Sequence, residues 1–219
     1  RYGFFPSVSA GWRISEESFF EPARDIINNL KIRASYGSLG NQVSGDDYYP
    51  YITTMNATLS NWLIDGQKSY NVGMPAPKSE VLTWEKVTST NIGLDFTILK
   101  NRLNFAGDMY IRKTTDMLVN GISVPNVFGA ASPKQNAGDL ETKGFEITVS
   151  WNDKFDLAGN PFNYGASISL GDAMSEITKF EANEKGLISE HYVGKKLGEI
   201  WGYRTDGLFQ SDEEATAWN

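Results

Sequence analysis

A period of two, sustained over long segments, constrains this chain more than any other feature. In NIGLDFTILKNRLNFAGDMYIRK, Asn91 to Lys113, two such runs flank a very short joint. The first sends Ile92, Leu94, Phe96 and Ile98 to one face and Asn91, Gly93, Asp95 and Thr97 to the other. Only a pleated strand separates successive side chains in this way. The apolar face meets either a core or lipid, so alternation alone leaves both a soluble sheet and a membrane barrel open.

Six long strands are predicted, at about Gly3 to Ile14, Leu30 to Leu39, Lys86 to Leu99, Arg102 to Met117, Glu141 to Asn152 and Phe162 to Ser175. Their apolar sets include Leu103, Phe105, Met109 and Ile111, then Phe145, Ile147, Val149 and Trp151, then Phe162, Tyr164, Ala166, Ile168 and Leu170. Opposite them stand Asn104, Asp108, Tyr110 and Arg112, then Gly144, Glu146, Thr148 and Ser150, then Asn163, Ser167 and Ser169. The 21 glycines and the lack of sustained helical periodicity agree with an all-β, antiparallel fold.

Connections alternate in length. Lys100 with Asn101 is a tight joint and Asp153 to Pro161 a fairly short one, whereas Gly40 to Glu85 and Leu118 to Leu140 are long. Short turns at one rim and long loops at the other are the habit of outer-membrane barrels, the long loops being extracellular. Ser15 to Asn29, on the short-turn side, is of middling length and has Ser15 or Ser18 as a cap for a brief helix. A connection as long as Gly40 to Glu85 is either a functional loop or hides strands, Tyr48 to Thr54 being a candidate. Aromatics gather near strand ends (Phe4, Phe5, Trp12, Tyr36, Trp84, Trp151, Phe162, Tyr164), as a headgroup-level girdle or as core anchors.

Composition removes several function classes. A net charge of −7 without a basic cluster argues against a nucleic-acid partner. The absence of cysteine excludes disulfides and thiolate metal sites. No apolar run approaches the roughly 18 residues of a spanning helix, but a barrel strand needs only about 9 to 11 alternating residues and leaves little trace in bulk hydropathy.

Catalytic chemistry is not legible. The single histidine, His191, falls in a loop, the adjacent pairs Asp46 with Asp47 and Glu213 with Glu214 have the wrong geometry for acid and base, and Ser211 marks a helix start before the latter pair. Asp153, Asp156 and Asn160 lack the glycine spacing of a calcium hand, and no phosphate-cradling loop occurs, so no metal or cofactor is expected. Asp95, Asp108, Arg112 and Glu146 lie on the polar faces of strands that are candidates for neighbours; in a barrel they face a water-filled or plugged lumen, where the carboxylates pair with Arg112, with a plug or with passing solute. In the longest loop Tyr48, Tyr49, Tyr51 and Trp62 suit contact with a carbohydrate or peptide, or packing of the loop on itself.

Three stretches carry a family resemblance. FFPSVSAGWRISEESFF with LKIRASYGSLGNQ (Phe4 to Phe20, Leu30 to Gln42), AGDLETKGFEITVSW (Ala137 to Trp151) and GKKLGEIWGYRTDGLFQSDEE (Gly194 to Glu214) resemble the late barrel strands of SusC/RagA-type TonB-dependent transporters of Bacteroidetes. The resemblance implies a plug within a barrel of about 22 strands, of which this chain supplies part of the wall and surface loops, the plug and signal sequence lying outside it. It further implies an outer-membrane importer of glycans or peptides, a SusD-like surface lipoprotein as lid and TonB as the energy source through a region outside this chain. Six strands are fewer than the roughly eight of the smallest membrane barrels, so residues 1–219 are expected to form part of a larger one. The alternative is a secreted soluble β-sandwich that binds carbohydrate, with a β-scaffold glycosidase as a weaker third.

Overall fold

A computed structural model describes residues 2–42, 52–75, 77–79, 82–122, 124–205 and 207–218. In chain order the strands are β1 (Ser7–Arg13), β2 (Ile27–Asn41), β3 (Ala57–Ile64), β4 (Gln67–Val72), β5 (Glu85–Ile98), β6 (Leu103–Asn120), β7 (Lys134–Leu157) and β8 (Asn160–Phe180). Six of them form one antiparallel sheet in the order β1-β2-β5-β6-β7-β8, while β3 and β4 pair only with each other. A short helix, α1 (Asp212–Ala217), is capped by Ser211, whose hydroxyl accepts from the Glu214 N–H.

Register converts the period of two into continuous rows. Trp12, Ile32, Leu94, Gly107, Ile147 and Leu170 form one row across the six strands, and Leu30, Phe96, Phe105, Val149 and Ile168 form the next toward the short turns. Phe96 and Phe105 stack at 4.7 Å within it. Among the described residues nothing covers this face: Ile168 is 76% exposed and Met109 70%, and only Leu82, Ala137 and Ile177 are buried hydrophobics. The accessible surface of 17062 Å² compares with about 10,000 Å² expected for a folded soluble monomer of this mass. A sandwich would bury these rows beneath a second sheet, and among the described residues no sheet lies over them.

Several boundaries differ from expectation, each through strand pairing. The seventh strand reaches from Lys134 to Leu157 instead of Glu141 to Asn152, because Lys134 to Leu140 pair with the end of β6 and Asp153 to Leu157 with the start of β8. The long loop from Leu118 to Leu140 therefore shortens to 121–133, and the joint from Asp153 to Pro161 shortens to Ala158 and Gly159, at φ +52° and +81°. The first strand starts at Ser7, leaving Phe5 to meet Trp84 edge-on at 5.6 Å. Between β1 and β2 the expected brief helix is two 3-10 turns, Ile14–Glu16 and Ser18–Ala23. Neither serine caps them: Ser15 is buried within the first turn, and Ser18 lies inside the second.

Of the candidate strand from Tyr48 to Thr54, only residues 52–54 fall among the described residues. Residues 52–56 are irregular, 43–51 lie outside the described residues, and the loop's strands are β3 and β4 farther on. Asp65 and Gly66 at φ +51° and +76° join them in the geometry of a two-residue hairpin turn.

The apolar band slants across the sheet. Following the outward face toward the long loops, the first charged residue is Lys86 on β5, Lys113 on β6, Lys143 on β7 and Asp172 on β8, each one row lower in register than the last. At the other rim β7 and β8 run correspondingly farther, placing Phe155 5.2 Å from Phe162 and 5.9 Å from Tyr164. A stagger along the strands is expected where tilted strands cross a level boundary, as in a barrel.

Candidate functional site

Opposite the apolar band lies a polar face with one ionic cluster at its centre. Arg33 on β2 donates from Nε and Nη2 to the two Asp95 oxygens at 2.8 and 2.9 Å, and from Nη2 to Asp108 Oδ2 at 2.9 Å. Such a fork fixes orientation as well as charge. Register explains its reach: Gly11, Arg33, Gly93, Asp108, Glu146 and Gly171 form a single row, so the guanidinium crosses bare backbone at Gly93 to arrive at Asp108. A Cβ at Gly93 would lie 2.6 Å from Asp108 Oδ1 and 2.7 Å from Arg33 Cζ. Glycine is required there by close approach.

The same device recurs one row away. The Tyr110 ring lies over Gly144, where an added Cβ would come within 2.5 Å of its phenol end. Arg112, expected to pair with the carboxylates, instead sits with its guanidinium 5.8 Å from the Tyr110 ring centre. Thus Asp95, Asp108, Arg112 and Glu146 do share one face, but the cation that gathers the two aspartates is Arg33, which the sequence reading missed. Glu146 stands directly across from Asp108 on the neighbouring strand. The Arg33 side chain is 34% exposed, so this cluster is half-open to solvent rather than a dry buried triad.

At the long-loop rim the β3–β4 hairpin has one apolar face, with Leu59 paired to Tyr70 and Ala57 to Val72. On its other side the Ser60 hydroxyl donates to the Trp62 carbonyl at 2.8 Å and meets the Ser69 hydroxyl at 3.4 Å. Trp62 is 80% exposed and Tyr70 73%, so the hairpin displays its aromatics instead of packing them. Tyr48, Tyr49 and Tyr51, expected to act with Trp62, lie outside the described residues. The dipeptide Asp65-Gly66 was the available signal for this hairpin.

Farther along, Gly194 to Leu197 fold back onto the end of β8: the Leu197 N–H donates to Ser175 O at 2.8 Å and the Ile177 N–H to Lys195 O at 3.0 Å. Tyr192 braces this return by donating its hydroxyl to Glu199 Oε1 at 2.6 Å. His191 packs edge-on against Phe180 at 5.5 Å beside a cleft of about 290 Å³. Among the described residues no cluster of three or more His, Asp and Glu side chains is placed to hold a metal ion.

A lipid-ready outer face with staggered boundaries points to an outer-membrane barrel wall, and comparison with known proteins agrees. A family model described as TonB dependent receptor-like, beta-barrel matches residues 1–212. The chain belongs to this family. It is similar to TonB-dependent receptor P39 of Formosa agariphila, 31% identical over 97% of this chain and 20% of that protein. TonB-dependent receptor SusC of Bacteroides thetaiotaomicron is 33% identical over 88% of this chain and 18% of its own length. Among solved structures, the RagAB peptide transporter superposes with a TM-score of 0.63 at 26% identity, over 80% of this chain and 18% of that one. The chain therefore spans about a fifth of the length of these relatives, and the family places it in the outer membrane. Its relatives are receptors and transporters rather than enzymes.

Proposed function

We propose that this chain forms part of the wall and surface of a TonB-dependent active importer that takes up a glycan or a peptide. The observation that carries this is an amphipathic sheet whose apolar face is exposed among the described residues and whose long-loop rim bears a hairpin displaying Trp62 and Tyr70. Likeness to SusC and to a peptide transporter supports the class of transport. On this reading the six strands continue into a larger barrel, the long loops face the exterior, and the face bearing Arg33, Asp95, Asp108, Arg112 and Glu146 lines the lumen.

Aromatic side chains at the hairpin offer stacking surface to sugar rings or to peptide side chains, with Tyr48, Tyr49 and Tyr51 preceding them in the chain. A SusD-like surface lipoprotein would close over bound solute, and TonB would act through a segment outside this chain. On this reading the protein binds its solute and releases it unchanged.

Orientation is tested in cells making the full-length protein, with Asn61→Cys and Asn101→Cys labelled by a membrane-impermeant maleimide. Asn61→Cys reacts and Asn101→Cys is shielded. The reverse pattern overturns the proposal. For the solute, Trp62→Ala is expected to weaken binding about tenfold or more for one class, oligosaccharides or peptides, and unchanged binding of both removes the hairpin from the site.

A further inference from the structure

The crossing of bare backbone at Gly93 has a counterpart at each edge of the sheet. On the polar face Lys31 stands in register with Asp95, but Arg33 already holds both Asp95 oxygens. Lys31 turns the other way and lies over Gly11 on the edge strand β1, where an added Cβ would be 3.3 Å from its Cε. At the opposite edge Glu146 has Asp108 on one side and Gly171 of β8 on the other. Two carboxylates directly across a ladder repel. The Glu146 stem leans over Gly171, its Cγ 3.5 Å from where a Cβ would stand.

Neither side chain is in an ion pair or a side-chain hydrogen bond among the described residues. The other charges nearby are engaged: Arg13 meets Glu16 at 3.9 Å, Arg33 holds the two aspartates, and Arg112 rests on the Tyr110 ring. This leaves a cation at the β1 edge and an anion at the β8 edge. The backbone is open at the same places. β1 pairs only with β2, and β8 is bonded on its far side only at Ser175 to Ile177, by the return of Gly194 to Leu197.

We infer that each of these side chains reaches past its glycine to an oppositely charged residue on the wall strand that adjoins the sheet there. Glu146 meets an arginine or lysine on the strand bonded to β8, and Lys31 meets an aspartate or glutamate on the strand bonded to β1. The reach is the one Arg33 already makes from β2 over β5 to Asp108 on β6, about two strand spacings of 4.7–4.9 Å. Such pairs hold the register of the incoming strands, because a slip of one residue would turn the partner to the lipid face. The inference rests on the reading of this sheet as part of a larger barrel, and on nothing about the solute.

The test uses the full-length protein. A basic residue is expected on the strand bonded to β8, in register with Gly171 or two residues from that position, and an acidic residue at the corresponding place beyond Gly11. Its absence at either edge overturns the inference. With the partner of Glu146 located in this way, Glu146→Arg should lower the folding equilibrium constant in phospholipid vesicles by about fivefold or more. Changing the partner to glutamate in the same protein should restore it to within about twofold. Where the reversed variant does not refold, Glu146→Gln and the partner's change to glutamine are compared singly and together, and the double is expected to cost no more than the larger single. Additive losses, or rescue of Glu146→Arg by reversing a plug residue instead, overturn the inference. Amide exchange separates it from the barrel reading. The Gly165, Ser167 and Ser169 N–H groups face the free edge of β8, as Ile177 does where the return bonds to it. Protection there with no coupling counts against the ion pair alone, whereas free exchange overturns the larger barrel together with the pair.

Discussion

Val149 and Ser150 are neighbours in β7 at one depth on opposite faces, which makes them a direct test of the sheet's two environments. Val149 lies on the apolar face between Phe105 and Ile168, and Ser150 on the polar face between Asn104 and Ser167. Val149 is close to the middle of the β7 apolar run between Phe145 and Trp151. Arginine on the lipid face at mid-depth costs roughly 2–4 kcal/mol, against little on a water-facing lumen. Val149→Arg should therefore lower the folding equilibrium constant by about 30- to 900-fold. Ser150→Arg should change it by no more than about 1 kcal/mol, since it meets only small polar neighbours. The assay is reversible denaturant unfolding of the full-length protein refolded into phospholipid vesicles, followed by tryptophan fluorescence. Equal costs, or a larger one at Ser150, would refute the assignment of the faces.

Three further outcomes follow from local geometry. Gly93→Ala forces a methyl between Arg33 and Asp108 and should destabilise by about 1–3 kcal/mol, with the Arg33→Met variant abolishing most of that extra cost; an unaltered midpoint for Gly93→Ala would show that the fork is slack. Gly66→Ala places a side chain at φ +76° and should cost about 1–2 kcal/mol in hairpin stability, read as faster hydrogen exchange confined to residues 57–72, and exchange that also rises in β5 or β6 would contradict the hairpin's independence. The Tyr192 bond to Glu199 is pH-bounded: the donated hydroxyl holds the Glu199 carboxyl below the ordinary range, and the same bond raises the Tyr192 phenol above its own. Stabilisation by the carboxylate is full above its ordinary pKa and lost as pH falls through the depressed one, while that by the phenol is full below about 10 and lost as pH rises past the raised value. Protection factors for the Ile177 and Leu197 amides should thus plateau near neutrality and fall at both extremes, and Tyr192→Phe should flatten both limbs.

Much of this architecture was written in the order of residues. Alternation in Asn91 to Lys113 determined two strands and their faces, because a pleat has a fixed period that neighbours cannot alter. The Lys100-Asn101 joint likewise appears as a turn, with Leu99, Lys100 and Asn101 all at positive φ. Where alternation stops, the sequence fell silent. Gln135 to Leu140 have no apolar face of their own, and only hydrogen bonding to β6 makes them strand.

The tertiary structure alone decided what meets across strands. Arg33 and Asp95 are 62 residues apart, and whether that guanidinium or the one at Arg112 serves the aspartates depends on register, which a single strand's pattern does not encode. Above all, alternation made one face of each ribbon apolar, but the sheet decided that these faces join into one band that is open among the described residues. A core requires another surface to press against, and burial is a property of the neighbours rather than of the strand.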